Sequence, residues 1–207
     1  MGRGAIPGPA DEFQDGAVID EGTLARTDSP TPGPAGFEAK GGAGKSGEGV
    51  ADQIVSYARR QRGERVGDGE CYTLVNRALR RAGAKTAADY GPVNPDADYV
   101  WGRAINLSEL QPGDVIQFRD YRYDREVVTE DDERTSTTED SQERPHHTAI
   151  VERVDGGGDV TVLEQNVDGS PVIRSQLFFS RGTRQRGRTT TRITVQGTVW
   201  FYRPEAR

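Results

Sequence analysis

Two stretches of the chain place apolar residues at intervals of three and four, which is the spacing of one helical face. The first covers residues 50–61, and the second begins at Cys71 and ends before Gly83, a residue typical of a helix C-cap. The pattern therefore predicts two helices with a buried face. Their apolar positions are Ala51, Ile54, Val55 and Ala58 in the first, and Leu74, Val75, Ala78, Leu79 and Ala82 in the second.

From residue 115 onward, short apolar runs and alternation predict β-strands. The Asp-Gly-Gly-Gly turn at residues 155–158 joins two of them as an antiparallel pair. Residues 84–107 predict a long loop or short helical turns, and an Arg-rich loop is expected before the last strand. Helices followed by strands indicate an α+β fold, with a small antiparallel sheet of about five to six strands packed against the N-terminal helices. The predicted strands are residues 115–118, 147–154, 159–166, 171–179 and 192–202.

Composition divides the chain into an arm and a domain. Residues 1–49 are rich in Gly and Pro without an apolar period, so we expect a disordered arm. Within this arm, residues 39–46 match a loose phosphate-loop pattern, but the lack of a preceding strand favours a flexible linker. Residues 50–204 are expected to form one domain. In that domain, the charged residues 119–145 predict an acidic hairpin or flap over one end of the sheet.

The charge of the protein restricts its partners. A net charge of −6 argues against nucleic acid as the main partner, because phosphate binding needs a basic surface. Residues 119–143 are rich in Asp and Glu, whereas residues 171–204 contain seven arginines and no acidic residue. The simplest interpretation is that both segments are solvated surfaces that face each other across a hairpin.

The sequence contains few signals of compartment or cofactor. No apolar run approaches the roughly 20 residues that span a bilayer, and the first residues lack the apolar region of a Sec signal. The localisation stays open, as cytoplasmic or exported by another route. The single cysteine, Cys71, excludes an internal disulfide, and the spacing of the histidines and the cysteine does not suit zinc, so we expect no cofactor. We also expect a monomer.

Cys71 is the candidate nucleophile because it opens a predicted helix. The unpaired N–H groups and positive dipole end of the first turn favour the thiolate, and catalytic thiols there have pKa values of roughly 3.5–7.5, against about 8.5 for free cysteine. A lone cysteine is also commonly a small buried apolar residue, and position alone leaves both interpretations open. Two later clusters, His-His at residues 146–147 and Glu-Gln-Asn at residues 164–166, favour catalysis.

Strand alternation selects between the two histidines, because neighbouring side chains point to opposite faces of a sheet. The apolar positions that follow share the face of His147, so His147 points inward and His146 outward if that face covers the core. On the return strand, Glu164 and Asn166 share one face by the same count. Either residue then meets His147 near the place where Cys71 is expected to dock. The alternative is that Glu164 is a solvent-facing strand residue.

Taken together, these residues resemble the CHAP family of cysteine, histidine-dependent amidohydrolases and peptidases, within the papain-like superfamily. The resemblance covers about residues 50–204 and rests on the order and spacing of several short segments. Two features depart from it: Glu70 stands where many members have Gln, and residues 119–145 make a longer connection. The matching segments are Gly-Glu-Cys at 69–71, Leu-Gln-Pro-Gly-Asp-Val-Ile-Gln-Phe at 110–118, His-Thr-Ala-Ile-Val at 147–151, Glu-Gln-Asn at 164–166 and Trp-Phe-Tyr-Arg-Pro at 200–204.

The resemblance implies a papain-like fold and a set of catalytic residues. It puts the nucleophile on Cys71, the base on His147 and the orienting role on Glu164, with Asn166 as a weaker candidate for that role. The implied reaction is cleavage of an amide bond in peptidoglycan or a peptide, through a thioester acyl-enzyme. Two alternatives stay open: an intracellular peptidase or amidase with a soluble substrate, and an inactive binding or scaffold domain that uses the acidic flap and the Arg-rich strands.

Overall fold

The computed structural model describes residues 49–207, so the arm predicted for residues 1–49 lies, except for residue 49, outside the described residues. Within this range the chain forms two α-helices, two short 3₁₀ helices and seven strands. The α-helices are α1 (Val50–Arg60) and α2 (Cys71–Arg81), and the 3₁₀ helices are Ala87–Asp89 and Leu107–Glu109. The strands are β1 (Arg103–Ile105), β2 (Val115–Glu130), β3 (Thr135–Gly156), β4 (Asp159–Glu164), β5 (Ile173–Phe178), β6 (Gly182–Arg186) and β7 (Thr189–Arg203).

The seven strands of the described region form one antiparallel sheet. Its order is β1-β7-β2-β3-β4-β5, and β6 pairs with the part of β7 that lies beyond β1. The sheet is larger than the about five to six strands predicted, because β1 lies in the expected long loop and β6 in the expected Arg-rich loop. Both strands are short, and every residue of β6 is exposed, so neither has the apolar alternation by which strands are recognised.

Strands β2 and β3 extend far beyond the apolar runs that predicted them. Residues 119–145 form the outer half of β2, a turn at residues 131–134, and the outer half of β3. Their acidic side chains meet arginines of the turn before β7 and of β7 itself. Arg188 Nη2 lies 2.7 Å from Asp132 Oδ1, and Arg192 Nη1 lies 2.9 Å from Glu126 Oε2. The two charged segments therefore neutralise each other at the surface, although exposed pairs of this kind add at most about 1 kcal/mol each.

The sheet carries an apolar cluster on each face. On one face, Val115 and Ile150 pack beneath α1 and α2. On the other face, aromatic rings predominate, and the Phe118 and Phe179 rings stack with their centroids 6.1 Å apart. Neighbouring residues of β3 therefore serve different clusters, with Ile150 on the helix side and Ala149 on the aromatic side. Each large apolar side chain buried in this way contributes about 1.5–3 kcal/mol.

A β-bulge in β2 lies next to the two histidines of β3. Asp120, with φ 52°, and Tyr121 together oppose Gly197 of β7, which has φ 90°. On the other side of β2, Pro145 of β3 stands beside the bulge and has no N–H to donate to the ladder. The bulge interrupts the strict alternation of side chains in this part of the sheet.

Replacing Gly197 by alanine is expected to lower the free energy of unfolding by about 2 kcal/mol or more, because a positive φ strains alanine and the added Cβ would meet the Asp120 carbonyl oxygen. Gly91→Ala is the matched control, since Gly91 has no positive φ and has open space around an added Cβ. Chemical denaturation measures both values. Equal stability of the two variants would contradict this description of the bulge.

Candidate active site

Cys71 is the first residue of α2, and the turn before it determines its position. Gly67 and Gly69 have positive φ values of 65° and 94°, which let the chain turn tightly into the helix. Glu70 is the N-cap, and its carbonyl oxygen accepts a hydrogen bond from the Thr73 N–H at 3.0 Å. Cys71 itself is half-buried, so the residue is not sealed in the core.

Gln165 fastens this turn to the sheet, a role that sequence reasoning missed. It directly follows β4 and is fully buried. Its Oε1 accepts a hydrogen bond from the Val66 N–H at 2.6 Å, and its Nε2 donates to the carbonyl oxygens of Val66 at 3.1 Å and Glu70 at 2.9 Å. Gln165 therefore holds the start of α2 beside the end of β4. The only signal in the sequence was its place between Glu164 and Asn166.

The two histidines of β3 lie in different environments. His147 is 6% exposed and contacts the aromatic cluster, with its ring centroid 6.1 Å from that of Phe118. His146 is partly exposed, and its Nε2 lies 3.0 Å from the Ala97 carbonyl oxygen. Alternation along β3 thus directs His147 into the protein and His146 toward a surface loop.

His147 lies between the Cys71 thiol and the Glu164 carboxylate. Its imidazole interacts with the thiol, and its Nε2 is 3.1 Å from Glu164 Oε2. The Nε2···Oε2 contact has the distance of an ion pair, although the N–H is not aligned as a hydrogen bond. Glu164 is fully buried at the end of β4, so it is not a solvent-facing strand residue. The fold thus brings together three residues that are distant in sequence.

Arg144 is a second residue of the site that sequence reasoning missed. It is 3% exposed and donates hydrogen bonds to both carboxylate oxygens of Glu164. Its Nε lies 2.8 Å from Oε2, and its Nη2 lies 2.5 Å from Oε1. Its remaining N–H groups donate to the Glu143 carbonyl oxygen and to Gln142 Oε1. Strict alternation would put Arg144 and His147 on opposite faces, yet both side chains reach the Glu164 carboxylate.

Asn166 occupies a different place from the one expected for an orienting residue. It lies beyond the end of β4 with φ 69°, and its Nδ2 donates a hydrogen bond to Glu70 Oε2 at 2.9 Å. Of the two residues expected to orient His147, Glu164 is the one that contacts the imidazole. Asn166 instead engages the exposed carboxylate of the residue before Cys71.

The electrostatics of the site favour a thiolate paired with an imidazolium. Burial raises the pKa of the Cys71 thiol, but the net shift is downward because His147 and nearby backbone N–H groups stabilise the thiolate. Burial lowers the pKa of His147, yet its contacts with Cys71 and Glu164 prevail and raise the pKa to about 9. Burial also raises the pKa of Glu164, whereas Arg144 and His147 together bring it down to about 2.

Aromatic side chains form a wall beside the thiol. The Tyr72 ring lies 5.0 Å from the Tyr99 ring and 5.3 Å from the Trp101 ring, measured between centroids. The loop that carries Tyr99 is tied to the sheet by Arg119, whose Nη2 is 2.8 Å from Asp98 Oδ1. Trp101 is fully buried, so the half-buried rings of Tyr72 and Tyr99 supply the accessible part of this wall.

The site around Cys71 contains nucleophilic and acid–base groups. Within residues 49–207, no cluster of three or more His, Cys, Asp or Glu side chains has an arrangement that could bind a metal ion. No helix in that part of the chain is long and apolar enough to cross a membrane. The reactive groups that the site brings together are those of Cys71, His147 and Glu164.

Comparison with known proteins identifies one family. A family model described as the AIM3/BBC1 cysteine proteinase-fold domain matches residues 44–207, which is most of the chain. Neither the curated proteins nor the solved structures give a match. The family match supports a papain-like cysteine proteinase fold, whereas it does not support the CHAP family specifically.

We expect iodoacetamide to alkylate Cys71 near neutral pH faster than it alkylates free cysteine, because the lowered pKa keeps more of the sulfur as thiolate. His147→Ala should slow alkylation at pH 7 about tenfold or more, since the strongest of the contacts that offset burial and lower the pKa of the thiol is then lost. His146→Ala is the control and should keep the wild-type rate. Mass spectrometry over a range of pH gives the rates. A wild-type thiol no faster than free cysteine would overturn the thiolate assignment.

Proposed function

The chain belongs to the family of AIM3/BBC1 cysteine proteinase-fold domains, and from this premise we propose that it is a cysteine hydrolase that cleaves an amide bond. The observation that carries the proposal is the contact of one buried imidazole, that of His147, with both the Cys71 thiol and the Glu164 carboxylate. A fold alone does not assign an activity. The proposal therefore rests on these three side chains.

In the first proposed step, the Cys71 thiolate attacks the carbonyl carbon of the amide. His147 donates its proton to the leaving amine, which yields a thioester on Cys71 and a neutral imidazole. In the second step, His147 takes a proton from water as the water oxygen attacks the thioester carbonyl. The carboxylic acid leaves, and the thiolate–imidazolium pair is restored. Acid–base help of this kind contributes roughly 10²–10⁴ in rate.

Glu164 and the start of α2 support these steps. Glu164 steadies the imidazole and favours its protonated form. At the helix start, the Thr73 N–H donates to the Glu70 carbonyl oxygen, whereas the Cys71 N–H has no acceptor within residues 49–207. This free N–H suits the oxyanion that forms when the thiolate attacks. Such a donor contributes on the order of 10²–10³ in rate.

The substrate is an amide within a peptide framework. Resemblance to the CHAP family in the segments at residues 69–71, 147–151 and 164–166 supports an amide of peptidoglycan as the leading candidate. The apolar wall of Tyr72 and Tyr99 beside the thiol also suits the side chains of a soluble peptide, which is the second candidate. Both candidates use the same acyl-transfer chemistry at Cys71.

A scaffold role without catalysis is a candidate from another class. The outer halves of β2, β3 and β7, together with β6, present charged and exposed side chains that do not form part of the Cys71 site. These residues would supply an interaction surface whether or not the thiol reacts. The alkylation rate of Cys71 separates this candidate from the two enzyme candidates.

We expect Cys71→Ala and His147→Ala each to abolish hydrolysis, because the first removes the nucleophile and the second removes the proton donor. His146→Ala should keep the activity, since His146 faces a surface loop. Incubation with muropeptides and with a soluble peptide library, followed by mass spectrometry, identifies the cleaved bond. Full turnover by the Cys71→Ala protein would contradict the assignment.

The pH dependence of hydrolysis tests the same ion pair. Since the reactive form needs both charges, activity should fall at low pH as the thiolate is protonated. It should also fall as the pH rises through about 9, where His147 loses its proton. A profile without an alkaline decrease would mean that protonated His147 is not required.

A further inference from the structure

Resting on the proposed function, we propose that Arg144 is a positioning residue that neutralises Glu164, so that this carboxylate orients His147 without holding the imidazole permanently as a cation. Nothing in the family match assigns a role to this arginine. Within residues 49–207, the Arg144 side chain makes no hydrogen bond or ion pair with Cys71. Its influence therefore acts through Glu164.

The contacts of Arg144 define a charge-balanced pair. The guanidinium donates to Oε2 of Glu164 at 2.8 Å and to Oε1 at 2.5 Å, in the two-point geometry that arginine forms with carboxylates. The same Oε2 lies 3.1 Å from His147 Nε2. Arg144 and Glu164 are 3% and 0% exposed, so water screens neither charge effectively.

The shared oxygen explains why this arrangement affects the imidazole. Because Arg144 Nε and His147 Nε2 both approach Oε2 of Glu164, the guanidinium and the imidazolium lie within about 6 Å of each other. At such distances one charge shifts the pKa of another group by about one to three units. An unshielded buried carboxylate would bind the proton of His147 too strongly for its transfer to a leaving amine. Paired with Arg144, the carboxylate acts more like a neutral acceptor.

A purely structural role for the pair makes a different prediction. Removing one partner of a buried ion pair leaves an uncompensated charge and destabilises the fold, whichever partner is removed. If the pair instead sets the charge of the site, the two single variants should shift the pKa of His147 in opposite directions. It also predicts that the shifts cancel when both charges are removed together.

Titration of His147 by NMR tests the proposal directly, because the chain contains only two histidines and His146→Asn assigns their signals. Arg144→Met removes a positive charge and should raise the pKa of His147 by about one unit or more above its wild-type value. Glu164→Gln removes a negative charge and should lower it by a similar amount. The double variant, Arg144→Met with Glu164→Gln, should return within about half a unit of the wild type.

Arg125→Met is the matched control on the neighbouring strand. Arg125 Nη1 of β2 lies 3.2 Å from Asp140 Oδ1 of β3 in a partly exposed pair away from Glu164, so its loss should leave the titration of His147 unchanged. If a single variant fails to fold, Arg144→Lys keeps the charge and loses the two-point geometry. Its His147 pKa should then stay within half a unit of the wild type.

The outcomes separate this proposal from the proposed hydrolase function. Opposite shifts that cancel in the double variant support the role of Arg144, even if no amide substrate is cleaved. Shifts of the same sign, or an unchanged titration in Arg144→Met, would overturn it, even if the wild-type protein proves to be an active hydrolase. The loss of hydrolysis in Cys71→Ala tests the hydrolase function by itself.

Discussion

The buried amide of Gln165 ties the turn before α2 to the end of β4, and the contact between thiol and imidazole depends on this tie. Cys71 belongs to the helical layer, whereas His147 and Glu164 belong to the sheet. The two layers meet at the site because one side chain satisfies both a donor and an acceptor of Val66 and also the Glu70 carbonyl oxygen. A buried backbone group without a partner would cost about 1–3 kcal/mol, so the turn has one strongly favoured position.

The site is also organised by charge. Buried charges are tolerated when each has a partner, and here a guanidinium, a carboxylate, an imidazole with a raised pKa and a thiol with a lowered pKa follow one another. The neighbour of each group explains the direction of its pKa shift: His147 lowers the pKa of Cys71, Glu164 helps raise that of His147, and Arg144 lowers that of Glu164. Each of these groups therefore has a neighbour of opposite charge, which lowers the cost of ionisation where water is largely excluded.

The outer part of the sheet is held in place by different interactions from those of the site. The charged halves of β2, β3 and β7 have their ion pairs at the surface, where screening and side-chain entropy leave little net stability. Position in this region is maintained by the backbone ladder and by the bulge at Asp120 and Gly197. The bulge also lies beside the segment of β3 that carries Arg144 and His147, the two residues that contact the Glu164 carboxylate.

The sequence by itself determined the features that depend on short-range patterns. The helical period after Cys71 and the glycines before it place the thiol at a helix start, and alternation gives His147 and His146 opposite directions. Helices followed by strands indicated the α+β class. These inferences hold because the residues concerned are close together in the chain, where backbone geometry alone relates them.

The tertiary structure decided what depends on distant contacts. Strands β1 and β6 exist because β7 pairs with them, and their own residues show no strand pattern. Asn166 turns away to Glu70 because the strand ends before it. Gln165 reaches a loop 99 residues earlier, and Arg144 of β3 reaches Glu164 at the end of β4. These contacts join residues that are far apart in the sequence, and no local pattern specifies such partners. They can therefore be identified only from the folded structure.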